Sequence, residues 1–449
     1  MSRATAAPST ANGVSAPPVV ARSDPSSVAP ARVTTALPRS SGALGSALEG
    51  TPGRMRVLGF VAAVVAAVFG LVGAMSLWSS AGALERAAHN TAQVVRIQGI
   101  YADLVRADAD ATNSFLVGGI EDPVKRADYD QSMARVAKGI AAAAEAQPAD
   151  SVALGELNGK VQTYATTVEQ ARVYNRQNLP VGATYLSNAS ASLRSDTLPI
   201  VKSLVDANKA RADAEFDAAS RLVTLVLVGL ASLVVLVLVM VWLARRTHRY
   251  INSSMFVGTL VVLAALALGV ITLAGAGSQV QQVRTTDFAF TVKLADVRTA
   301  AYDAKSNESL TLIARGSGAS YEAAWQTQSS NILNLLGGGL DNATQNRLQS
   351  EWNAYKDKHL EIRKADDGGD WNGAVVQALD TKAGSANATF TTFTEDISAR
   401  LADFGKATQQ SLLGPVTWVT VLGWVLLVMC VAAAVLMLRG MGQRIEEYR

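Results

Sequence analysis

Four runs of this chain, residues 57–78, 222–244, 255–276 and 412–438, contain no Asp, Glu, Lys, Arg or His. Each is at least as long as the roughly 20 residues a helix needs to cross the hydrocarbon core of a bilayer. A backbone inside lipid must satisfy its own hydrogen bonds, so apolar runs of this length resolve as membrane helices. Composition agrees, since 49% of the 449 residues are hydrophobic and the mean hydropathy is +0.19. An ordinary soluble globule of this size is excluded.

The spans divide the chain into 1–54, 55–78, 79–221, 222–244, 245–254, 255–276, 277–411, 412–438 and 439–449. The tail to Arg56 has six Arg against Asp24 and Glu49, the short loop adds Arg245, Arg246 and Arg249, and the C-terminal stub has three Arg against Glu446 and Glu447. These pieces carry +8 between them, so the net charge of +3 leaves −5 for the two long segments. Short basic segments stay on the cytoplasmic side, which puts both termini and the loop inside and segments 79–221 and 277–411 outside. The expected location is the plasma membrane, crossed four times.

Catalysis has little material. Cys430 is the only cysteine and lies in the fourth span, and His89, His248 and His359 lack a second ligand-type residue at zinc-site spacing. No phosphate loop, nucleophile elbow or kinase signature is present. Gly316 and Gly318 sit at an apparent helix end, where glycine is a C-cap. No enzymatic activity, metal, cofactor or nucleic-acid partner is expected.

The first residues, rich in Ala, Pro, Ser, Thr and Val, show no periodicity and read as a disordered tail. More than a signal peptide's length precedes the first apolar run, so span one is a retained anchor. The tail's distal bases, Arg22, Arg32 and Arg39, together with Arg245, Arg246 and Arg249, are candidates for a cytoplasmic output surface. The alternative is that these bases enforce topology and touch anionic lipid.

Both long segments read as helix throughout. In 79–221, breaks fall at Gly118 and Gly119, at Pro148 with Asp150 and Ser151, and from Asn178 to Gly182, while Asp122 and Pro123 open a helix. In 277–411, breaks fall at Gly316 to Gly318, at Gly337 to Gly339 with Asp341 as a cap, and from Asp366 to Asp370. Four helices follow for each segment, the outer ones running into the spans. The expected fold is all-α, with two tandem extracytoplasmic four-helix bundles on four transmembrane helices.

An offset of 191 to 193 residues superimposes Asp110 on Asp303, Tyr129 on Tyr321, Tyr164 on Tyr355 and Arg172 on Arg363, the mark of an internal duplication. In the first helix, Val94, Ile97, Tyr101, Leu104, Asp108, Ala111 and Phe115 recur at alternating spacings of 3 and 4. The matching seam, Phe290, Leu294, Val297, Ala301, Ala304 and Glu308, carries its acid at the position of Phe115. A buried carboxylate has to be paired or protonated and then acts as a polar layer fixing register. The simpler expectation is that helix rotation leaves Asp108 and Glu308 at the bundle edge, in reach of water.

Helix one of each segment rises from the membrane, so the breaks after helices one and three lie at the far tip. Glu121, Asp122, Arg176, Arg315, Asp367 and Trp371 are therefore candidate residues for docking an outer protein, Trp371 foremost because exposed aromatics and Arg are enriched at hot spots. Trp371 serves equally well as a staple packing the tip. Phe390, Phe393, Ile397, Leu401 and Phe404 continue a helix through Gly414 and Pro415 into span four. That continuity permits rigid motion to cross a membrane.

A helical outer bundle between two spans is similar to the sensor domains of bacterial chemoreceptors and sensor kinases. Here no long signalling module follows the spans. Two bundles on four spans, a basic Ala/Pro/Ser tail, and stretches such as VRADADATNSFLV at 105–117 resemble the actinobacterial GlnX-type membrane sensors over about 55–449. The resemblance implies a relay: an extracytoplasmic solute-binding lipoprotein specific for glutamate or aspartate docks on the bundles, and a soluble serine/threonine kinase receives the signal. A homodimer in the lipid bilayer is compatible with it. The other readings are a transporter or channel subunit, disfavoured by spans free of ionisable groups, and an envelope scaffold.

Overall fold

The computed structural model describes residues 51–116, 121, 123–247 and 252–446, and every regular element among them is helical. Arg22, Arg32, Arg39, Gly118, Gly119, Asp122, His248 and Arg249 lie outside the described residues. Helix α1 spans Thr51–Phe115, with Pro52 in its first turn. It is 65 residues long, and at 1.5 Å per residue reaches about 100 Å.

The first half continues through α2 (Pro123–Ala146), α3 (Ser151–Arg176), α4 (Val181–Ser192) and α5 (Leu198–Ala219), with a π turn at Leu193–Thr197 joining the last two. Asn178, at φ 56°, turns the chain between α3 and α4. After the apolar α6 (Val223–Thr247) come α7 (Ser253–Thr285) and α8 (Asp287–Ile313), jointed at Thr286. The second half completes with α9 (Ala319–Leu336), α10 (Asn342–Asp367), α11 (Trp371–Leu379), α12 (Ala386–Leu413) and α13 (Val416–Glu446).

Local chemistry sets these boundaries. Asp341, Asp370 and Ser385 cap α10, α11 and α12 by accepting the amides of Thr344, Gly373 and Ala388 at 2.9, 2.9 and 3.2 Å. Ser385 marks a departure from the expected four helices: the last one is split, with the chain turning at Gly384 (φ 81°). The first half disturbs its last helix at the matching place, but only by the π turn.

The apolar runs lie in four helices long and apolar enough to cross a membrane, which marks a multi-pass membrane protein. They pack on one another through Phe69, Leu225, Leu266, Leu426 and Met437. Small residues let the backbones approach, as expected where lipid removes the hydrophobic drive. A Cβ on Gly70 would overlap that of Cys430, and one on Gly423 would run into the Trp78 indole, whose Nε1 donates to the Thr420 carbonyl at 3.2 Å.

Beyond the spans, α1 to α5 enclose a core of Ile97, Leu104, Val136, Leu157, Val168 and Leu193. A second core gathers α8 to α12 around Trp352, Tyr355, Phe390 and Phe393. The two are not separate, because Val105 and Ala109 of α1, and Leu116 just past its end, belong to the second core. Nearer the spans, Leu84, Phe216, Val283, Phe288 and Leu412 form one cluster from both halves. Helices α1 and α8 thus stand back to back along the centre.

Candidate functional site

This central position reverses the expectation for the two seam acids. Asp108 and Glu308 are buried, at 0% and 1% exposure, rather than at a bundle edge. A helix at the rim of one bundle has a face left for water. Helices α1 and α8 instead spend that face on each other, and in α8 the successive residues Lys305, Ser306, Asn307, Glu308 and Ser309 are all buried.

Asp108 ties the halves together. Its Oδ1 accepts from Tyr164 Oη at 3.2 Å and Ser190 Oγ at 2.5 Å, and its Oδ2 accepts from Ser306 Oγ, across the interface, at 2.7 Å. Arg194 Nη2 lies 3.2 Å from the same Oδ2 and 2.8 Å from Asp303 Oδ1. The Arg194 guanidinium also donates to Ser306 Oγ at 3.0 Å, and Gln328 Nε2 holds the far oxygen of Asp303 at 2.9 Å. Arg194 sits in the π turn, and such bulges recur where a helix must re-aim a side chain.

Glu308 serves a network internal to the second half. Lys305 Nζ is 2.6 Å from Oε1, while Tyr355 Oη and His359 Nδ1 lie 3.0 and 2.9 Å from Oε2. His359 stacks on Trp325 at 3.6 Å and reaches Glu322 Oε2 through Nε2 at 3.2 Å. Burial opposes the charge on Glu308, yet the Lys305 ammonium and the His359 hydrogen bond hold its carboxyl down at about 2. Burial likewise disfavours the imidazolium, but hydrogen bonds to Glu308 and Glu322 raise His359 above its ordinary value. Positions Tyr164 and Tyr355 therefore each bond a core acid, from different heights of the first helix.

At the tips, two candidate acids are occupied rather than free. Glu121 Oε2 lies 3.2 Å from buried Arg172, which stacks on Tyr129 at 4.1 Å. Asp367 pairs with Arg363, which also holds Asp366 at 2.5 Å. Trp371 is half-buried against the second core, with Nε1 donating to the Leu312 carbonyl at 2.8 Å and Arg315 lying 4.1 Å over its ring. It staples the tip instead of standing out as a free aromatic. Arg176 and Arg315 are exposed, as are Arg245 and Arg246.

Arg194, Asp303, Ser306, Lys305 and Glu322 are not marked by periodicity or motif as members of these networks, and His359 has no ligand-type neighbour at metal-site spacing in the sequence. The available signals were the paired tyrosines and the polar KSNES run at 305–309 inside an apolar seam.

A family model described as an actinobacterial sensor domain matches residues 83–217, from within α1 to within α5. This stretch of the chain is similar to a sensor domain, which fits a sensor protein in actinobacteria and a sensing or signalling role. No curated protein and no solved structure matches.

Proposed function

We propose that this chain is a non-enzymatic membrane signal transducer whose two outer helical bundles, products of an internal duplication, report an extracytoplasmic nutrient to the cytoplasm. In this reading a glutamate- or aspartate-binding lipoprotein docks at the tips, and a soluble serine/threonine kinase is recruited inside. The observation that carries it is the unbroken run of α1 from its apolar segment to the far end of the first half. A rigid helix of that length, paired along its upper part with α8, transmits a shift made at the tip to the membrane as a change between discrete packings. The sensor-domain match over 83–217 supports the same reading.

Crosslinking in intact membranes, followed by identification of outer and inner partners, tests the relay. Recovery of neither a solute-binding protein nor a kinase would overturn it. Orientation is tested separately. With Cys430 replaced by Ser, single cysteines at Ser151 and Asn342 are expected to react with a membrane-impermeant reagent, and one at Ser40 is not. Deleting residues 2–45 while keeping Arg54 and Arg56 is expected to abolish the kinase response at normal membrane levels. An unchanged response moves the output to Arg245 and Arg246 and the C-terminal stub.

A further inference from the structure

Where the halves meet, two clefts open on opposite sides of the α1–α8 pair. The first, about 650 Å³, lies between α1, α5, α8 and α9; the second, about 360 Å³, lies between α1, α2, α8 and α12. Part of their walls corresponds at a shift of 193: Asp303 lines the first and Asp110 the second, Leu198 answers to Thr391, and Val205 to Ser398, whereas Gln98, Lys209 and Asp296 have no counterpart in the second. The charged positions have diverged. Arg194 and Lys202 of the first cleft face the second as Asn387 and Glu395.

The first cleft holds polar groups with unused capacity. Gln98 is 5% exposed, lines the cleft, and has no partner for either its amide nitrogen or its oxygen. A buried amide left bare costs free energy comparable to the desolvation of both groups, so such a side chain calls for a ligand or ordered water. Lys202, Asp206 and Lys209 of α5 line one wall and Asp296 of α8 the other, with no ion pair within 4.0 Å for any of the four among the described residues. The π turn, present in the first half only, delivers Arg194 to the same cleft. The second cleft is smaller, and among its described lining residues only Asn113, through its side-chain Oδ1, has a buried polar atom left bare.

We propose that the first cleft binds a small zwitterion of the free amino-acid class, its carboxylate toward Lys202 and Lys209, its ammonium toward Asp296, and a polar group on Gln98. The lining sets Arg194, Lys202 and Lys209 against Asp206, Asp296 and Asp303, a balance that answers both charges of such a molecule, whereas a purely anionic or cationic ligand leaves half of it unanswered. The second cleft, with Glu395 in place of Lys202 and with its bases Arg106, Lys125 and Lys305 already paired to Asp110, Asp128 and Glu308, does not take this ligand. Through Arg194 the bound molecule touches the Asp108–Ser306 bridge between the halves. The proposal stands apart from tip docking, since the ligand reaches the chain without a carrier protein.

The test is calorimetric titration of the full purified chain in lipid nanodiscs with free L-amino acids, one at a time. Each is compared with its N-acetyl and its carboxamide derivative. Expected is saturable binding of at least one amino acid at one site per chain, lost when either charge is blocked. Gln98→Leu, and separately Lys202→Ala with Lys209→Ala, are expected to weaken it tenfold or more, while Asn387→Ala and Glu395→Gln leave it unchanged. Replacing an unpaired amide by an apolar side chain of similar size spares the fold, and unaltered helix content by circular dichroism verifies this. No saturable binding up to millimolar concentration overturns the proposal, as does binding indifferent to the first-cleft substitutions or two equal sites per chain. Because no outer protein is present, failure here leaves the docking relay standing, and failure of crosslinking leaves this site standing.

Discussion

The two halves place a tyrosine at matching positions of the third helix, Tyr164 and Tyr355, and give each a buried acid, yet the acids do different work. Asp108 reaches across to Ser306 of the other half and shares Arg194 with Asp303. Glu308 turns inward to Lys305, Tyr355 and His359, all of its own half. One polar layer is a joint between halves and the other is an internal brace. The displacement of the acid along the first helix decides which, because it changes the neighbours the carboxylate can meet.

The largest effect is expected from Glu308→Ala. It leaves Lys305 and His359 buried without their common counter-charge, which costs about 3–5 kcal/mol. The loss is read as hydrogen-exchange protection in α8 and α10 of the full chain in lipid, with α2 and α3 unaffected. Comparable loss in both halves breaks the contrast. The pH dependence has a definite sign. The Glu308 carboxyl, held at about 2 against an ordinary 4.5, contributes stability present above pH 4.5 and lost as pH falls through about 2. His359, raised above 6.5, contributes stability present below that pH and lost as pH rises through its raised value.

Asp108→Asn comes next, at about 2 kcal/mol for weakened charge-assisted bonds. Its signature is distribution rather than size: protection falls in α4 and in α8 together, since Ser190 and Ser306 share the acceptor. A fall confined to one half rejects Asp108 as the joint.

Asp110 tests the halves by pH. Its counterpart Asp303 is paired with Arg194 at 2.8 Å, whereas Asp110 has Arg106 at 3.9 Å and a long hydrogen bond from Ser132 Oγ at 3.3 Å, and burial pushes it up to about 6. A raised acid favours the fold below its unfolded value of 3.8, and that contribution is lost as pH rises through about 6. Asp110→Asn is therefore expected to remove a loss of about 1–2 kcal/mol in the first half between acid and neutral pH. An unchanged profile refutes the assignment.

Trp371→Phe keeps the ring and drops the bond to the Leu312 carbonyl, for about 1 kcal/mol at the tip of the second half. Smallest is Lys358→Ala, which breaks an exposed pair with Glu361 and is expected to cost under about 0.5 kcal/mol.

The all-helical class and the four spans were legible in the sequence because length, apolarity and absence of charge suffice to define a membrane helix, and each is a local property. Caps at Asp341 and the break at Asn178 were legible for the same reason. The fate of the seam acids was not. Periodicity identified the face carrying Asp108 and Glu308, but could not tell that the opposite faces of α1 and α8 pack on each other. Gly384 and the Ser385 cap are local marks of the split at 380–385, and Arg363 lies one turn before Asp367, but nothing local announced the occupation of Glu121 by Arg172.

What the sequence determined alone, then, is which segments are helices and which of them suit lipid, since those follow from backbone hydrogen bonding and transfer of side chains from water. Only the tertiary structure decided that Asp108 bridges the halves, that His359 has two carboxylate partners, and that Gln98 is buried without one. Those outcomes depend on which surfaces meet across separations from 37 residues for His359 and Glu322 to 198 for Asp108 and Ser306, and a carboxylate or amide acquires its energy from the groups within hydrogen-bond reach rather than from its neighbours in sequence.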